Sequence, residues 1–410
     1  MALQNNIYIT GAGVISAIGV GMNETLASLL AGKTGIGEMK HLASVHHELP
    51  VGEVKLSNAE MAQLLGADDD IRFSRTALIG RLALREALQS AHLSPLPPHL
   101  PLPHFISATT VGGMDRRELF HKDEESCDRT HALIATHNCA DCTEMVAAPF
   151  GPFASMATIS TACSSATNAI ITGANMLRCG MADIVVAGGT ECLSRFHLNG
   201  FNALMILDHE QCKPFDRDRA GLNLGEGAAY VVLETAASAQ QRGATPLCRL
   251  SGYGNACDAF HQTASSPDGE GAFLAMQQAL AMAGLQPSDI GYINAHGTGT
   301  PNNDASESQA ILRVFAGQQS LEASPTKVPP VSSTKSFTGH TTSASGSIEA
   351  VFCLLALQHQ FLPVNLNWHT PMENGIVPVT DSHPQAPLRH IMSNAFGFGG
   401  NDSSLILSVV

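Results

Sequence analysis

Ser160-Thr161-Ala162-Cys163-Ser164-Ser165-Ala166 is the stretch on which the reading of this 410-residue chain turns. A run with strand character, 157–160, leads into it, and an apolar-periodic stretch, 166–179, leads out. The pattern is a strand, a turn of small residues and the start of a helix, with a thiol in the turn. A thiol at a helix N-terminus meets unpaired backbone N–H groups and the positive end of the helix dipole. Both favour thiolate, so the pKa of Cys163 is expected to fall below the free value of about 8.5. The same N–H groups suit a developing oxyanion. A small buried cysteine is the ordinary alternative. The tiny neighbours, which let a substrate approach, favour the reactive reading.

The alternation continues outward on both sides. Strands are expected at 7–10, 104–108, 157–160, 183–187 and 229–234, and again at 248–253, 292–294, 331–333, 391–395 and 404–409. Helical spacing appears at 24–30, 74–90, 166–179, 272–283 and 348–358. Strands alternating with helices imply a layered α/β fold. The order also looks duplicated. Thr161-Ala162-Cys163-Ser164-Ser165 in the first half has a counterpart in Asn294-Ala295-His296-Gly297-Thr298, and Gly188-Gly189 in Gly397-Phe398-Gly399-Gly400. The halves divide as 1–247, carrying Cys163, and 248–410, carrying His296 and His340. Near 116–144 the chain is rich in charge, Cys and His and reads as an irregular excursion.

Composition excludes several classes. Charged residues are 14% and hydrophobic ones 44%, so much of the chain must be buried. A net charge of −14 argues against a general nucleic-acid binder. No apolar run approaches the roughly 20 residues of a membrane helix, and residues 1–6 lack the charge of a signal peptide. Ten scattered cysteines in a chain of this size point to reduced thiols and a cytoplasmic address.

His296 follows a strand within Asn294-Ala295-His296-Gly297-Thr298-Gly299-Thr300-Pro301, and His340 closes Ser333-Thr334-Lys335-Ser336-Phe337-Thr338-Gly339-His340. Histidines at strand ends beside glycine turns are candidates for chemistry, because glycine admits a substrate closely. Zinc on Cys163 and the two histidines is the competing reading, but none has the short paired spacing of a metal motif. Lys335 and Glu349 bracket His340 and suit a buried pair that orders its turn. The run Asn394-Ala395-Phe396-Gly397-Phe398-Gly399-Gly400-Asn401 offers a second oxyanion N–H and a mobile aromatic plug.

Taken together, the blocks around Cys163, His296 and His340 and the Gly-Phe-Gly-Gly turn resemble the β-ketoacyl-acyl-carrier-protein synthases of the I/II type. The resemblance runs from Gly11-Ala12-Gly13 through Val185-Val186-Ala187-Gly188-Gly189, Pro214-Phe215-Asp216 and Gly225-Glu226-Gly227-Ala228 to the last strand. It implies a thiolase-like fold of five α-β-α-β-α layers built from two similar halves. The implied reaction is a decarboxylative condensation of an acyl thioester with malonyl-acyl-carrier protein, needing neither metal nor organic cofactor. Cys163 would be the nucleophile, and His296 and His340 together would bind the malonyl thioester. Lys335 and Glu349 would be the supporting charge pair, and the N–H groups of Cys163 and Phe398 the oxyanion hole. Thr298, Thr300, Phe398, Phe201 and Val111 would contact substrate. Acyl-carrier protein is the implied partner, in a homodimer or a heterodimer with a chain-length-factor-like subunit.

The chain departs from that family at 119–125 and 136–142, where a segment rich in Phe and Pro is usual. The departure keeps open a specialised aryl-polyene or type II polyketide ketosynthase working with a chain-length partner. Cys139 and Cys142, near His131 and His137, have a superficial zinc spacing. A thiolase would need a second cysteine within 396–401, and none stands there. A chain-length subunit would lack the nucleophile, and a cysteine hydrolase has no use for the second histidine or Lys335. Arg72, Arg75, Arg116 and Arg117 are candidates for meeting an acidic carrier.

Overall fold

The computed structural model describes residues 6–67, 73–120, 133–134, 137–316, 328–383 and 386–410. Ten principal strands occur where the alternation places them: β1 Ile7–Ser16, β3 His104–Ala108, β4 Met156–Ile159, β5 Ile184–Glu191, β6 Gly227–Thr235, β7 Cys248–Cys257, β8 Tyr292–Asn294, β9 Val331–Ser332, β10 His390–Gly397 and β11 Asn401–Ser408. A two-residue strand, β2 Gly19–Val20, folds back on β1.

Several differences have plain causes. β1 runs six residues beyond its expected end, through Gly11 and Gly13. These glycines do not turn the chain; they let the helix Arg75–Ser90 press against the strand. A Cβ at Gly13 would stand 2.2 Å from Ala83 O. The helix Pro301–Phe315 escaped the periodicity reading because proline looks like a break. Here Thr300 is the N-cap and Pro301 the first helical residue, where proline is well tolerated. Near 116–144 the chain is more regular than expected at both ends, forming the helices Met114–Phe120 and Cys139–Ala147.

The strands join in the order β4-β3-β5-β6-β1-β7-β11-β10-β8-β9. On one side β1, β6, β5, β3 and β4 follow one another, with only the β5–β3 and β3–β4 pairs parallel. On the other β7, β11, β10, β8 and β9 repeat that order and sense. The chain is therefore two copies of one five-stranded unit, joined where β1 pairs β7.

Side-chain alternation along these strands separates the layers. Val185 and Ala187 join the central core with Ile391, Leu405 and Leu407, around the helices Ser165–Arg178 and Ser345–His359. Ile184 and Val186 face the opposite way, towards Arg75–Ser90 and Cys139–Ala147. Met392 and Ile406 face the helices Glu270–Ala283 and Pro301–Phe315. Helix, sheet, helix pair, sheet and helix make five layers, the thiolase-like α/β arrangement. The topology corrects one pairing made from sequence. Cys163 follows β4, whose equivalent is β9, so its counterpart is the Lys335 turn; His296 follows β8, the equivalent of β3.

Candidate active site

The turn after β4 is held in an uncommon shape. Ala162 has φ 53°, a left-handed conformation that a non-glycine residue adopts only when its surroundings impose it. Those surroundings are hydroxyls: Thr161 N–H donates to Ser165 Oγ at 2.8 Å and Ser165 Oγ to Ala162 O at 2.5 Å, while Ser164 Oγ lies 2.8 Å from Thr161 O. The small polar run therefore closes a sharp elbow. It sets Cys163 two residues ahead of Ser165, the first residue of the helix.

Cys163 is 6% exposed, and burial pushes its thiol up to about 11, against the pull of Lys335 and of the Phe398 N–H. The expected thiolate is therefore corrected. The N-terminal dipole amounts to about half a charge, too little to offset removing a thiolate from water.

Two histidines share the cavity with this thiol. Their rings stand edge to face with centroids 5.3 Å apart. Lys335 Nζ reaches His296 Nδ1 at 3.2 Å, His296 O at 2.6 Å and Glu349 Oε1 at 2.5 Å. Three acceptors match the three protons of an ammonium, so His296 Nδ1 accepts and its own proton belongs on Nε2. His340 Nδ1 lies 2.9 Å from Ser345 Oγ. Burial, then the charge of Lys335, drives both imidazoles well below the usual histidine range, so both are neutral. Glu349 is raised to about 6 by burial although Lys335 opposes the shift. Its Oε2 is buried without a hydrogen-bond partner among the described residues.

The His296 turn has two carboxylate clamps that the sequence reading missed. Glu307 accepts from His296 N at 2.8 Å and Gly297 N at 2.7 Å. Asp304 accepts from Gly299 N at 3.1 Å and Phe215 N at 2.7 Å. Their three-residue spacing on the Pro301–Phe315 helix is the signal that could have found them. Another missed residue is Asn401, whose Oδ1 accepts from Ser164 Oγ and Asn168 Nδ2, both at 2.7 Å, and ties the glycine turn to the Cys163 elbow.

One cavity gathers Cys163, His296, His340, Thr298, Thr300, Phe201 and Phe398. Thr298 Oγ1 and Thr300 Oγ1 lie 2.9 Å apart along its wall. Phe398 stacks on Phe201 at 5.9 Å, and its N–H donates to the Cys163 thiol. Lys335 and Glu349 support the cavity from behind, and Val111 lies outside its lining, in the turn after β3.

The arginine candidates change. Arg75 is buried, with Nε and Nη2 on Glu226 and Nη1 on Leu56 O, so it cannot meet a carrier. Arg116 Nε donates to Phe73 O, and Arg72 lies outside the described residues. Cys142 is packed into the outer core, while His131 is also outside the described residues. No helix among the described residues is long and apolar enough to cross a membrane.

Comparison with known proteins gives family matches in both halves. Residues 4–239 match the model described as beta-ketoacyl synthase, N-terminal domain, and residues 247–369 the corresponding C-terminal domain. The 3-oxoacyl-acyl-carrier-protein synthase 2 of Staphylococcus aureus is 32% identical over 417 aligned residues, covering 99% of each chain. Among solved structures, the ishigamide ketosynthase/chain length factor superposes with TM-score 0.89 at 28% identity, covering 99% of this chain and 100% of that one. A ketosynthase in complex with its chain length factor from Xenorhabdus doucetiae superposes with TM-score 0.84 at 30% identity, covering 99% and 98%.

Proposed function

The chain belongs to the β-ketoacyl synthase family and is a condensing acyltransferase, and we propose that Cys163 holds its acyl group while His296 and His340 stabilise the malonyl-derived enolate. The observation that carries this assignment is the meeting, in one cavity, of a buried thiol and two neutral imidazoles, with Lys335 fixing the tautomer of one.

In the first half-reaction the sulfur of Cys163 attacks the carbonyl of an acyl-carrier thioester. The N–H groups of Cys163 and Phe398 receive the oxyanion. Because Cys163 rests as a thiol, its proton must leave as the sulfur–carbon bond forms, and the departing carrier thiolate takes it. Malonyl-carrier then enters along Thr298 and Thr300. The bond between its Cα and the free carboxylate carbon breaks, carbon dioxide departs, the electron pair passes into the thioester as an enolate, and the enolate oxygen accepts hydrogen bonds from the two imidazoles. A neutral ring keeps one N–H to donate, and for His296 that is the Nε2–H, because Nδ1 accepts from Lys335. The enolate carbon attacks acyl-Cys163, and the sulfur leaves as thiolate and is reprotonated. The product, a β-ketoacyl carrier, is two carbons longer than the acyl donor.

The expected partners are acyl- and malonyl-loaded carrier protein. Pairing with a second ketosynthase-like subunit has support in the edge strand β4, which among the described strands is paired only with β3 and leaves Met156 47% exposed. The second reading, a ketosynthase working with a chain-length-factor-like partner in polyene or polyketide assembly, draws on the two solved structures named above. Incubation with acyl- and malonyl-carrier, followed by mass analysis of the carrier, tests the reaction. A β-keto chain two carbons longer is expected; release of free acid alone would mean hydrolysis and overturn the assignment.

A further inference from the structure

Behind the glycine turn lies an acidic group that the steps above do not use. Asp402 is the second residue of β11, just past Gly400, and is 4% exposed. Its carboxyl makes no hydrogen bond among the described residues, in contrast to that of its neighbour Asp258 at the end of β7. Asp258 holds that corner together. Its N–H donates to Gly400 O at 2.7 Å, and its carboxylate accepts from Ser266 N and Ser266 Oγ at 2.6 Å and from Gly271 N at 3.1 Å. Asp402 Oδ2 and Asp258 Cβ crowd one point, 2.3 and 2.8 Å from where a Cβ on Gly271 would stand. The two side chains thus share a space beneath the N-terminus of the Glu270–Ala283 helix.

The other charge facing this space is also negative. Glu307 approaches from the Pro301–Phe315 helix. Arg313, on the same helix as Glu307, is engaged by Asp268 O and Glu270. Asp402 is buried and Asp258 half-buried, and two ionised carboxylates side by side there, with no cation between them, are strongly disfavoured. One of the two must hold a proton, and Asp258 is committed as an acceptor to three donors. Asp402 is the one left to carry it.

We propose that Asp402 is a positioning residue for the reaction, its protonated carboxyl bridging to Asp258 and holding the Gly397–Gly400 turn, with the Phe398 N–H, against Cys163. The inference rests on the oxyanion role given to Phe398 above. Ionisation of Asp402 sets two carboxylates against each other, strains the Asp258–Gly400 hydrogen bond and loosens that turn. Burial, then Asp258 and Glu307, places this ionisation at about pH 8.

The linkage has a definite sign. The unfolded chain loses the Asp402 proton near its ordinary value of 3.8, whereas the folded protein keeps it to about 8. The contribution of this group to stability is full below the lower value and is lost as pH rises to the upper one. Asp402→Asn, which resembles the protonated form and does not titrate, tests both parts. Its melting temperature should rise above that of the wild type progressively between pH 4 and 8, with a constant difference beyond. In single-turnover acylation of Cys163 by an acyl-carrier thioester, the rate ratio of Asp402→Asn to wild type should rise about tenfold between pH 7 and 9, as one titration near 8 requires. Taking the ratio cancels the titration of Cys163 itself. A ratio independent of pH would overturn the positioning role, and a melting difference that ignores pH would overturn the buried proton. The melting curves need no acyl donor, so a protein that never loads Cys163 would count against the assigned reaction while this inference is still decided.

Discussion

In the proposed reaction Cys163 enters as a thiol, and that changes what activates it. The sequence shows a cysteine ahead of a helix and says nothing of how deeply it is buried, so it gives the dipole and omits the larger, opposing cost of desolvation. Site-resolved alkylation by iodoacetamide measures the outcome. With the thiol at about 11, the rate at Cys163 should climb about tenfold per pH unit from 7 to 10 without levelling. A plateau near pH 8.5 would restore the activated thiolate. Peptide-level readout is needed because Cys179 and Cys257 are exposed and will react as well. The histidines were legible as residues, each at a strand end beside a glycine turn. Their neutrality was not, since it depends on burial and on Lys335, which is 39 residues from His296 in the chain and 3.2 Å from its ring.

Two turns must keep register with each other for the proposed oxyanion hole to form. One is the Cys163 elbow and the other the Gly397–Gly400 turn, and Asn401 Oδ1 is the tie, accepting from Ser164, Asn168 and, at 3.0 Å, Asn255. Asn401→Ala leaves these donors without their acceptor and frees the turn. Acylation of Cys163 should slow about tenfold, the equivalent of one buried hydrogen bond, while decarboxylation of malonyl-carrier by the histidines changes less than about twofold. Equal loss in both half-reactions would mean that Asn401 supports the whole cavity and does not act through the turn. Regular strands were legible at this scale because their alternation is strong. The helix Asn58–Leu65 was not: it is short, its amphipathic face is weak, and a Ser57–Glu60 capping box secures its start. The clamps from Pro301–Phe315 were hidden for a different reason, because Pro301 reads as an ending and here begins a helix.

Across the whole molecule, duplication explains why the proposed reacting groups meet. The two five-stranded units place the turns after β4, β8 and β9 at one end of the central helix pair, so Cys163 from one half faces His296 and His340 from the other. Sequence alone suggested two halves from the recurrence of strand, small-residue turn and glycine turn, but it matched the wrong turns. Strand order is a tertiary fact, and it puts Lys335, not His296, opposite Cys163. The adverse charge of −14 leaves carrier docking to local features of the cavity mouth, and the burial of Arg75 removes one arginine from that role. The central claim is that Cys163 carries the acyl chain and surrenders it to a malonyl-derived carbon. Intact-mass analysis of the purified protein and of Cys163→Ala, each incubated with an acyl-carrier thioester and then with malonyl-carrier, tests it most directly. The account predicts an acyl adduct on the wild type alone, discharged on adding malonyl-carrier as an elongated β-ketoacyl carrier. An adduct of the same mass on Cys163→Ala, or one that malonyl-carrier leaves in place, would contradict it.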